Sequence, residues 1–279
     1  MRADGFSILH FSDTHIQEPG RTLKTGVAGA DALVSAIEKA QRVQPSFDAI
    51  LISGDLVDSG GEAQYQELLS LLERSPIKAP VFLCLGNHDA RTSFRKVFSN
   101  WLQSSGLSDL HSHFLQYTAA LFQDDGQTVR MVVMDTLEPG RDEGHLCAER
   151  IGWLNEVINR YPTDRLLLVM HHLPFLTGSA LFDSMVLQQR NALRDCLSGH
   201  SNIERVVCGH FHRACVADLL GIPVVVCPST AHAYPLQYQG GAKEPLVIDE
   251  PAGFAIHRFI HESGSAGGWT SHFVFQATA

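Results

Sequence analysis

Five short stretches of the chain end an apolar run with side chains that bind metal ions. They read "SDTHI", "SGDLVD", "GNHD", "HH" and "GHFH", and their candidate ligands are Asp13, His15, Asp55, Asn87, His171, His172, His210 and His212. Carboxylate and imidazole suit Zn, Mn, Fe or Co, and one carboxylate can bridge two ions. A single ending of this kind proves little, because Asp and Asn are common in turns for backbone reasons alone. Five such endings, one after another along the chain, predict a centre for two transition-metal ions.

The elements that must position these residues alternate along the chain. Apolar runs predict strands at 6–11, 48–53, 81–85, 129–134, 165–170, 204–208, 222–227 and 254–260. Helical periodicity appears at about 28–43, 62–74, 149–160 and 183–198. Continuous apolar strands separated by helices are typical of α/β proteins whose sheets are buried on both faces. Because ligands bind at the carboxyl edge of such sheets, we expect the five endings to converge there. From about 220 onward no helix intervenes, which predicts a partly antiparallel sheet.

Length and charge narrow the class of protein. The chain has 279 residues and a formal charge of -9, which excludes a surface built for duplex nucleic acid. No run approaches the ~20 apolar residues of a membrane helix, and the N-terminus does not read as a secretory signal. Six cysteines without a CxxC pair are typical of reduced, buried thiols. We therefore expect a cytoplasmic protein that contacts no membrane.

No repeat, charge block or linker divides the chain. We expect one domain over 1–279, with a catalytic core at about 6–232 and C-terminal strands and a tail at about 233–279. The tail is glycine- and serine-rich and then apolar, which predicts either a last strand or an oligomer contact. Together with an insertion near 101–123, it favours a homo-oligomer, a dimer or higher.

The ordered series "DTH … GD … GNHD … HH … GHFH" resembles the calcineurin-like metallophosphoesterase superfamily over roughly residues 6–232. The resemblance implies an α/β fold, a four-layer α-β-β-α sandwich of two mixed sheets flanked by helices. It also implies that one ion is held by Asp13, His15 and His212, the other by Asn87, His171 and His210, with Asp55 bridging. In the family pattern the first histidine after the strand is the ligand, so His172 is expected to support the loop.

Three further stretches are similar to the bacterial class III cyclic nucleotide phosphodiesterases and their glycerophosphodiesterase relatives. They are "MHHLPFLTGSALFD", in which Leu173 replaces a usual proline, "RVVCGHFHR" and "GIPVVVCPSTAH". The resemblance implies a phosphodiesterase for small diesters such as 3′,5′-cyclic nucleotides or glycerophosphodiesters, with a metal-bridging hydroxide attacking phosphorus. The metals stay open among Fe, Mn, Zn and Co, as divalent or trivalent ions.

His88 neighbours the ligand Asn87 and is the candidate general acid or phosphate-positioning group. Asn87, His88 and His212 are the expected substrate-binding residues. Asp58, three residues after Asp55, either orients the His88 ring through a hydrogen bond or is a simple turn residue.

Alternatives keep the same metals but change the substrate: a phosphomonoesterase or a nucleotide pyrophosphatase. A non-catalytic scaffold with a degraded site is disfavoured, because all seven implied ligands and His88 are present. His232 follows a strand on the side expected to face the site, as a substrate or ligand-supporting contact. Residues 173–190 are expected to wall the pocket, with Phe175, Phe182 and Asp183 as specificity candidates.

Overall fold

The structure is a computed structural model that describes residues 5–124, 127–236, 238, 250–260 and 267–276. Its strands are β1 (Phe6–Phe11), β2 (Ala49–Ser53), β3 (Val81–Cys84), β4 (Tyr117–Asp124), β5 (Gln127–Val133), β6 (Arg165–Val169), β7 (Ile203–Cys208), β8 (Cys215–Leu219), β9 (Ile222–Val226), β10 (Gly253–Ile260) and β11 (Gly268–Phe275). Its helices are α1 (Gly29–Val43), α2 (Glu62–Arg74), α3 (Arg91–Val97), α4 (Ser99–Ser104), α5 (Ala148–Arg160), α6 (Ala180–Asp183) and α7 (Arg190–Leu197).

The described strands form two mixed sheets flanked by helices. The first sheet has the order β11-β10-β1-β2-β3, in which β1, β2 and β3 are parallel and β10 and β11 are antiparallel. The second has the order β4-β5-β6-β7-β9-β8, in which β5, β6, β7 and β9 are parallel and the edge strands β4 and β8 are antiparallel. The expected α/β sandwich of two mixed sheets is confirmed.

Side chains of β6 show why the central strands read as continuous apolar runs. Leu166 and Leu168 join the outer core formed with α5 and α7, while Leu167 and Val169 join the core that contains the first sheet. Successive residues of a strand point to opposite faces, so a strand covered on both sides is apolar throughout. Helix α1 instead buries one stripe, made of Leu33, Ala36, Ile37 and Ala40, at the spacing of an amphipathic helix.

A buried polar chain interrupts the apolar layer between the sheets. His10 Nδ1 lies 2.9 Å from His257 Nε2, and His257 Nδ1 lies 2.6 Å from Ser271 Oγ. Arg205, on β7 of the opposite sheet, donates to the same Ser271 hydroxyl. His10 Nε2 has no hydrogen-bond partner among the described residues. These hydrogen bonds link β1, β10 and β11 to β7 of the opposite sheet, so the four side chains have a structural role.

Several sequence predictions need correction. The eight predicted strands are present within two residues of their predicted ends, but the edge strands β4 and β8 and the helices α3 and α4 were missed. The helix expected at 183–198 is two shorter helices, α6 and α7.

The tail does form a last strand, since β11 pairs with β10. The insertion near 101–123 contributes α4 and most of β4, while the oligomer contact and the single domain stay predictions. Among the described residues, no helix has both the length and the apolar character needed to cross a bilayer.

Candidate metal centre

The predicted ligands follow the carboxyl ends of β1, β2, β3, β6 and β7, on turns with unusual backbone geometry. Five of the seven have a left-handed φ: Asp13 (50°), His15 (41°), Asp55 (46°), His210 (68°) and His212 (55°). Residues other than glycine adopt this region rarely and at a cost, and such strain clusters at functional sites. In the described part of the chain, only Asp109 and Leu220 share it among the remaining non-glycine residues. No residue pattern in these segments signals the strain.

One buried group brings together Asp13, His15, Asp55 and His212, whose ligand atoms all lie within 4.8 Å of one another. His15 Nε2 and His212 Nε2 are 3.2 Å apart, and His212 Nε2 is 3.3 Å from Asp13 Oδ1. His212 Nδ1 donates to the His232 carbonyl oxygen at 3.0 Å, so its Nε2 carries a lone pair. Two imidazole nitrogens and a carboxylate that face one another suit a divalent cation.

The second group forms around His171. Its Nδ1 donates to the Ser53 carbonyl oxygen at 2.8 Å, which leaves Nε2 for a metal. That nitrogen lies 3.2 Å from Asn87 Oδ1 and 3.4 Å from Asp55 Oδ2. His210 is buried beside it, and its Nε2 has no partner in the described structure. Asp55 Oδ2 also lies 3.8 Å from His15 Nε2, so this carboxylate reaches both groups. The geometry fits the expected bridging position.

The electrostatics of the centre favour added positive charge. Burial raises the pKa of the Asp55 carboxyl, but His171, His88 and His15 together outweigh burial and hold that pKa well below its usual value. Burial lowers the pKa of His171, yet Asp55 and Asp13 bring it to about 9. Burial lowers the pKa of both His15 and His210 to about 3, so their rings stay neutral and able to bind metal. Two buried carboxylates therefore face one protonated imidazole, that of His171, and two neutral ones, which leaves negative charge for a cation to balance.

Two glycines allow the ligands to approach. A methyl group at Gly209 would lie 1.9 Å from Ser12 Oγ and 2.8 Å from Asp13 Oδ2. A methyl group at Gly86 would lie 2.2 Å from Asp55 Oδ1. Both distances are far inside van der Waals contact. The "GNHD" and "GHFH" turns therefore need glycine as their first residue because a side chain there would displace a ligand carboxylate.

His88 borders the bridging carboxylate. Its main-chain N–H donates to Asp55 Oδ1 at 2.9 Å, and its Nδ1 donates to the Asp58 carbonyl oxygen at 2.6 Å. The hydrogen bond considered between Asp58 and His88 is thus present, but the acceptor is the main chain. The Asp58 carboxylate instead lies 3.8 Å from His15 Nδ1, which has no hydrogen-bond partner among the residues that the structure describes. Burial lowers the pKa of His88, and the charges of Asp55 and Asp58 outweigh it, so the pKa is raised.

Sequence reasoning missed Asp89, the last residue of "GNHD". Its carboxylate accepts the main-chain N–H groups of Leu56 (3.1 Å), Val57 (3.3 Å) and Gly86 (2.8 Å), and the Tyr65 hydroxyl at 2.9 Å. These bonds tie the loop after β2 to the loop after β3, which carry Asp55 and Asn87. Burial raises the pKa of Asp89 to about 7. The signal available in the sequence was the position of Asp89, directly after Asn87 and His88.

The other candidates near the site fall into different roles. His172 Nδ1 lies 2.7 Å from Thr136 Oγ1, which agrees with a loop-supporting residue. His232 is part of the wall, since its ring centroid lies 4.5 Å from that of His212. Phe182 is buried against Phe211 and does not line an open pocket. The Asp183 carboxylate accepts bonds from its own loop, so these two residues are not free to select substrate as expected.

A separate cluster of His111, His113 and Glu149 also has ligand atoms within 4.8 Å. His111 Nδ1 accepts the main-chain N–H groups of His113 (3.1 Å) and Phe114 (3.3 Å). The ring proton is therefore on Nε2, which lies 3.3 Å from Glu149 Oε1. A nitrogen that carries this proton cannot also bind a metal, so the cluster is a hydrogen-bonded contact.

Comparison with known proteins agrees with this geometry. The family model described as calcineurin-like phosphoesterase matches residues 6–214. A probable cyclic nucleotide phosphodiesterase of Rhodopseudomonas palustris is 32% identical over 242 residues, which cover 84% of this chain and 83% of that protein. A probable glycerophosphodiester phosphodiesterase of Arcobacter nitrofigilis is 27% identical over 263 residues, with 92% and 90% covered.

Among solved structures, a dimetal phosphatase of Danio rerio superposes with a TM-score of 0.67 at 13% identity, covering 96% of this chain and 98% of that one. That likeness shows the fold. With the family match, it establishes that the chain belongs to the calcineurin-like phosphoesterases. The prediction of a metal-dependent phosphoesterase is confirmed, and family membership implies divalent metal ions at the buried Asp and His clusters.

Proposed function

We propose that the chain is a phosphodiesterase that hydrolyses small diesters, either 3′,5′-cyclic nucleotides or glycerophosphodiesters. The observation that carries the proposal is the position of His88, a ring with a raised pKa beside the bridging Asp55. The alkoxide that leaves an alkyl phosphoester must be protonated, and His88 is placed to supply that proton. The names of the two relatives support the diester class.

The metal roles follow the two groups of side chains. We assign Asp13, His15 and His212 to one ion and Asn87, His171 and His210 to the other, with Asp55 shared. Two bound ions supply an activated water and a positive clamp for the phosphate oxygens. The donor set accepts Fe, Mn, Zn or Co, as divalent or trivalent ions.

The chain's own residues orient the substrate and move a proton. His88 donates from Nδ1 to the Asp58 carbonyl, so its Nε2 is the nitrogen left for substrate. With a raised pKa, that nitrogen holds a proton in more of the neutral pH range and delivers it to the leaving oxygen. The Asn87 amide completes the proposed phosphate contacts. The expectation that His212 also contacts phosphate does not fit the structure, because its Nδ1 bonds to the His232 carbonyl oxygen and its Nε2 is assigned to a metal. The Asp58 main chain holds the ring in place, which makes Asp58 a positioning residue.

The test compares diesters with a monoester on the protein loaded with Mn²⁺. Initial rates would be measured on bis(p-nitrophenyl) phosphate and p-nitrophenyl phosphate, with 3′,5′-cyclic AMP and glycerophosphoethanolamine in parallel. Diester turnover with little monoester turnover supports the proposal, and the natural diesters rank its two branches. Preferential monoester cleavage moves the protein to the phosphomonoesterase alternative. A parallel assay with a dinucleoside diphosphate tests the other alternative, and cleavage of that substrate alone indicates a nucleotide pyrophosphatase.

The cytoplasmic location and the homo-oligomer also stay proposals. The first is supported by the sequence features above, and the second by the apolar tail, whose strand β11 is an edge of the first sheet. Light scattering on the purified protein measures the oligomeric state directly, and a monomer across a wide concentration range would contradict it.

A further inference from the structure

An exposed apolar surface lies on the two loops that leave the metal centre. Leu176 is 58% exposed, Leu236 is 42% exposed and Tyr238 is 64% exposed. Leu176 belongs to the loop that follows His171 and His172, and the other two belong to the segment that follows β9. Exposed apolar side chains that group together mark binding sites more often than single ones do. We call these three residues the apolar ledge.

Contacts hold the two loops together next to a ligand. The Tyr234 ring stacks on that of the ligand His212, with centroids 4.5 Å apart and planes at 30°. Phe182, in the first loop, lies 5.6 Å from Tyr234. A methyl group at Gly178 would be 3.5 Å from the Tyr238 ring, so Tyr238 lies beside the loop that carries Leu176.

Two residues of the ledge follow Tyr234 closely in the chain. Leu236 is two residues from Tyr234 and Tyr238 is four, so the chain separates them from Tyr234 by at most about 7 Å and about 14 Å. Tyr234 in turn stacks on His212, one of the proposed metal ligands. The organic group of a diester that extends from His212 towards this side meets apolar surface.

The chemistry of the ledge discriminates between the two branches of the proposed function. A tyrosine face stacks with planar aromatic groups, and stacking on one aromatic side chain stabilises a bound base in a sequence-tolerant way. Glycerol and ethanolamine offer no such face. The nearby Asp183 carboxylate is bound by Thr177 and Gly178 of its own loop, so it is not placed for the ethanolamine ammonium.

We propose that Leu176, Leu236 and Tyr238 form a subsite for the planar aromatic group of the substrate, the base of a nucleotide. This inference rests on the proposed diesterase function and deepens it. Tyr238 supplies the stacking face and the two leucines supply apolar contact at the edge of the ring. The ledge makes the enzyme prefer nucleotide diesters over glycerophosphodiesters.

The first experiment separates the ledge from the chemistry. Tyr238→Ala, Tyr238→Phe and Leu176→Ala would be compared with Val216→Ala, a control at a 64% exposed apolar residue on the edge strand β8. In Mn²⁺-loaded protein, Tyr238→Ala should raise KM for 3′,5′-cyclic AMP by about tenfold through loss of one stacked base. The kcat value for cyclic AMP and the kcat/KM for glycerophosphoethanolamine should stay within about twofold of wild type. Tyr238→Phe should keep the wild-type KM for 3′,5′-cyclic AMP because stacking needs no hydroxyl.

A binding experiment keeps the ledge testable if the diesterase proposal fails. Calorimetry with Mn²⁺-loaded protein would compare 5′-AMP with ribose 5-phosphate, which differ by the base alone. Wild type should bind 5′-AMP about tenfold more tightly, and Tyr238→Ala should lose that preference. If wild type binds the two ligands equally, the proposed base subsite is refuted, even when the protein is an active diesterase. A preserved preference without diester turnover would support the ledge and refute the proposed function.

Discussion

Two groups of buried histidines lie in this fold, and they differ in what faces their ring nitrogens. At the metal centre, Nε2 of His15, His171 and His212 lies within 4 Å of a carboxylate oxygen, on turns beyond the strand ends. Between the sheets, His10 and His257 lie within β1 and β10 and bond to each other at 2.9 Å. In the described part of the chain, a serine hydroxyl continues that pair and no carboxylate bonds to either ring.

Burial does not distinguish the two groups. It lowers the pKa of His10 to about 3, as it does for His15 at the metal centre. The carboxylates make the difference, because Asp55 and Asp13 bring the pKa of the equally buried His171 to about 9. The comparison teaches that a histidine marks a metal site in this protein when it lies past a strand end with a carboxylate opposite. A histidine inside a strand serves packing.

Removing a ligand should give the largest effect. His171→Ala deletes the nitrogen that lies between Asn87 and Asp55, and we expect it to lose one metal and to lower kcat/KM by at least ~10³-fold, since a metal clamp supplies several kcal/mol of transition-state stabilisation. Metal content by mass spectrometry and initial rates check this. His257→Gln is the matched control, a buried histidine that should keep both metals. Equal metal loss in the two variants would break the distinction between the groups.

Removing His88 should affect chemistry and leave the metals in place. We expect His88→Ala to lower kcat on 3′,5′-cyclic AMP by about 10²–10⁴-fold, the usual contribution of a general acid. The loss should be much smaller on bis(p-nitrophenyl) phosphate, because p-nitrophenolate leaves without a proton. Both rates and the metal content would be measured on one preparation. The same loss on both substrates would argue for phosphate positioning instead of proton donation.

The pair between the sheets should appear in the pH dependence of stability. Burial lowers the pKa of His10 from 6.5 to about 3 and that of His257 well below 6.5, so below pH 6.5 the unfolded chain binds protons that the folded chain does not. The stability is therefore fully present above about pH 6.5 and falls as pH decreases, by up to about 1.4 kcal/mol per pH unit for each histidine.

His257→Gln should reduce that slope by the share of one histidine. Denaturant unfolding of metal-free protein at pH 5, 6 and 7 measures it, and His272→Gln, at an exposed residue on β11, controls for the loss of one imidazole. An unchanged slope in His257→Gln would mean that the pair is not held neutral in the folded state.

Much of the fold could be predicted because its central strands are covered on both faces. Runs such as "RLLLV" in β6 carry apolar residues towards two cores, which leaves a strong local signal. The edge strands β4 and β8 have solvent on one side, so "CVADL" shows a mixed pattern that resembles a loop. Their pairing depends on partners distant in sequence, and no local pattern reports that.

The ligand set was also readable, because each ligand follows an apolar run directly. The supporting contacts were not: Asp89 bonds to residues more than thirty positions earlier, and Asp58 orients His88 through a carbonyl oxygen that every residue has. The contacts of Phe182 and Asp183, two of the specificity candidates, could not be read from the sequence either. Their packing partners and hydrogen bonds depend on how a loop closes on itself.

By itself, the sequence determined the class of the sheets, the order of the ligand-bearing turns and the types of atom that face a metal. These features depend on residue identity and on strand periodicity, which are local. The folded structure was needed to show which histidines share a centre and which carboxylate reaches both groups. Those depend on distances between segments that are far apart in the chain, and such distances exist only once the two sheets have packed.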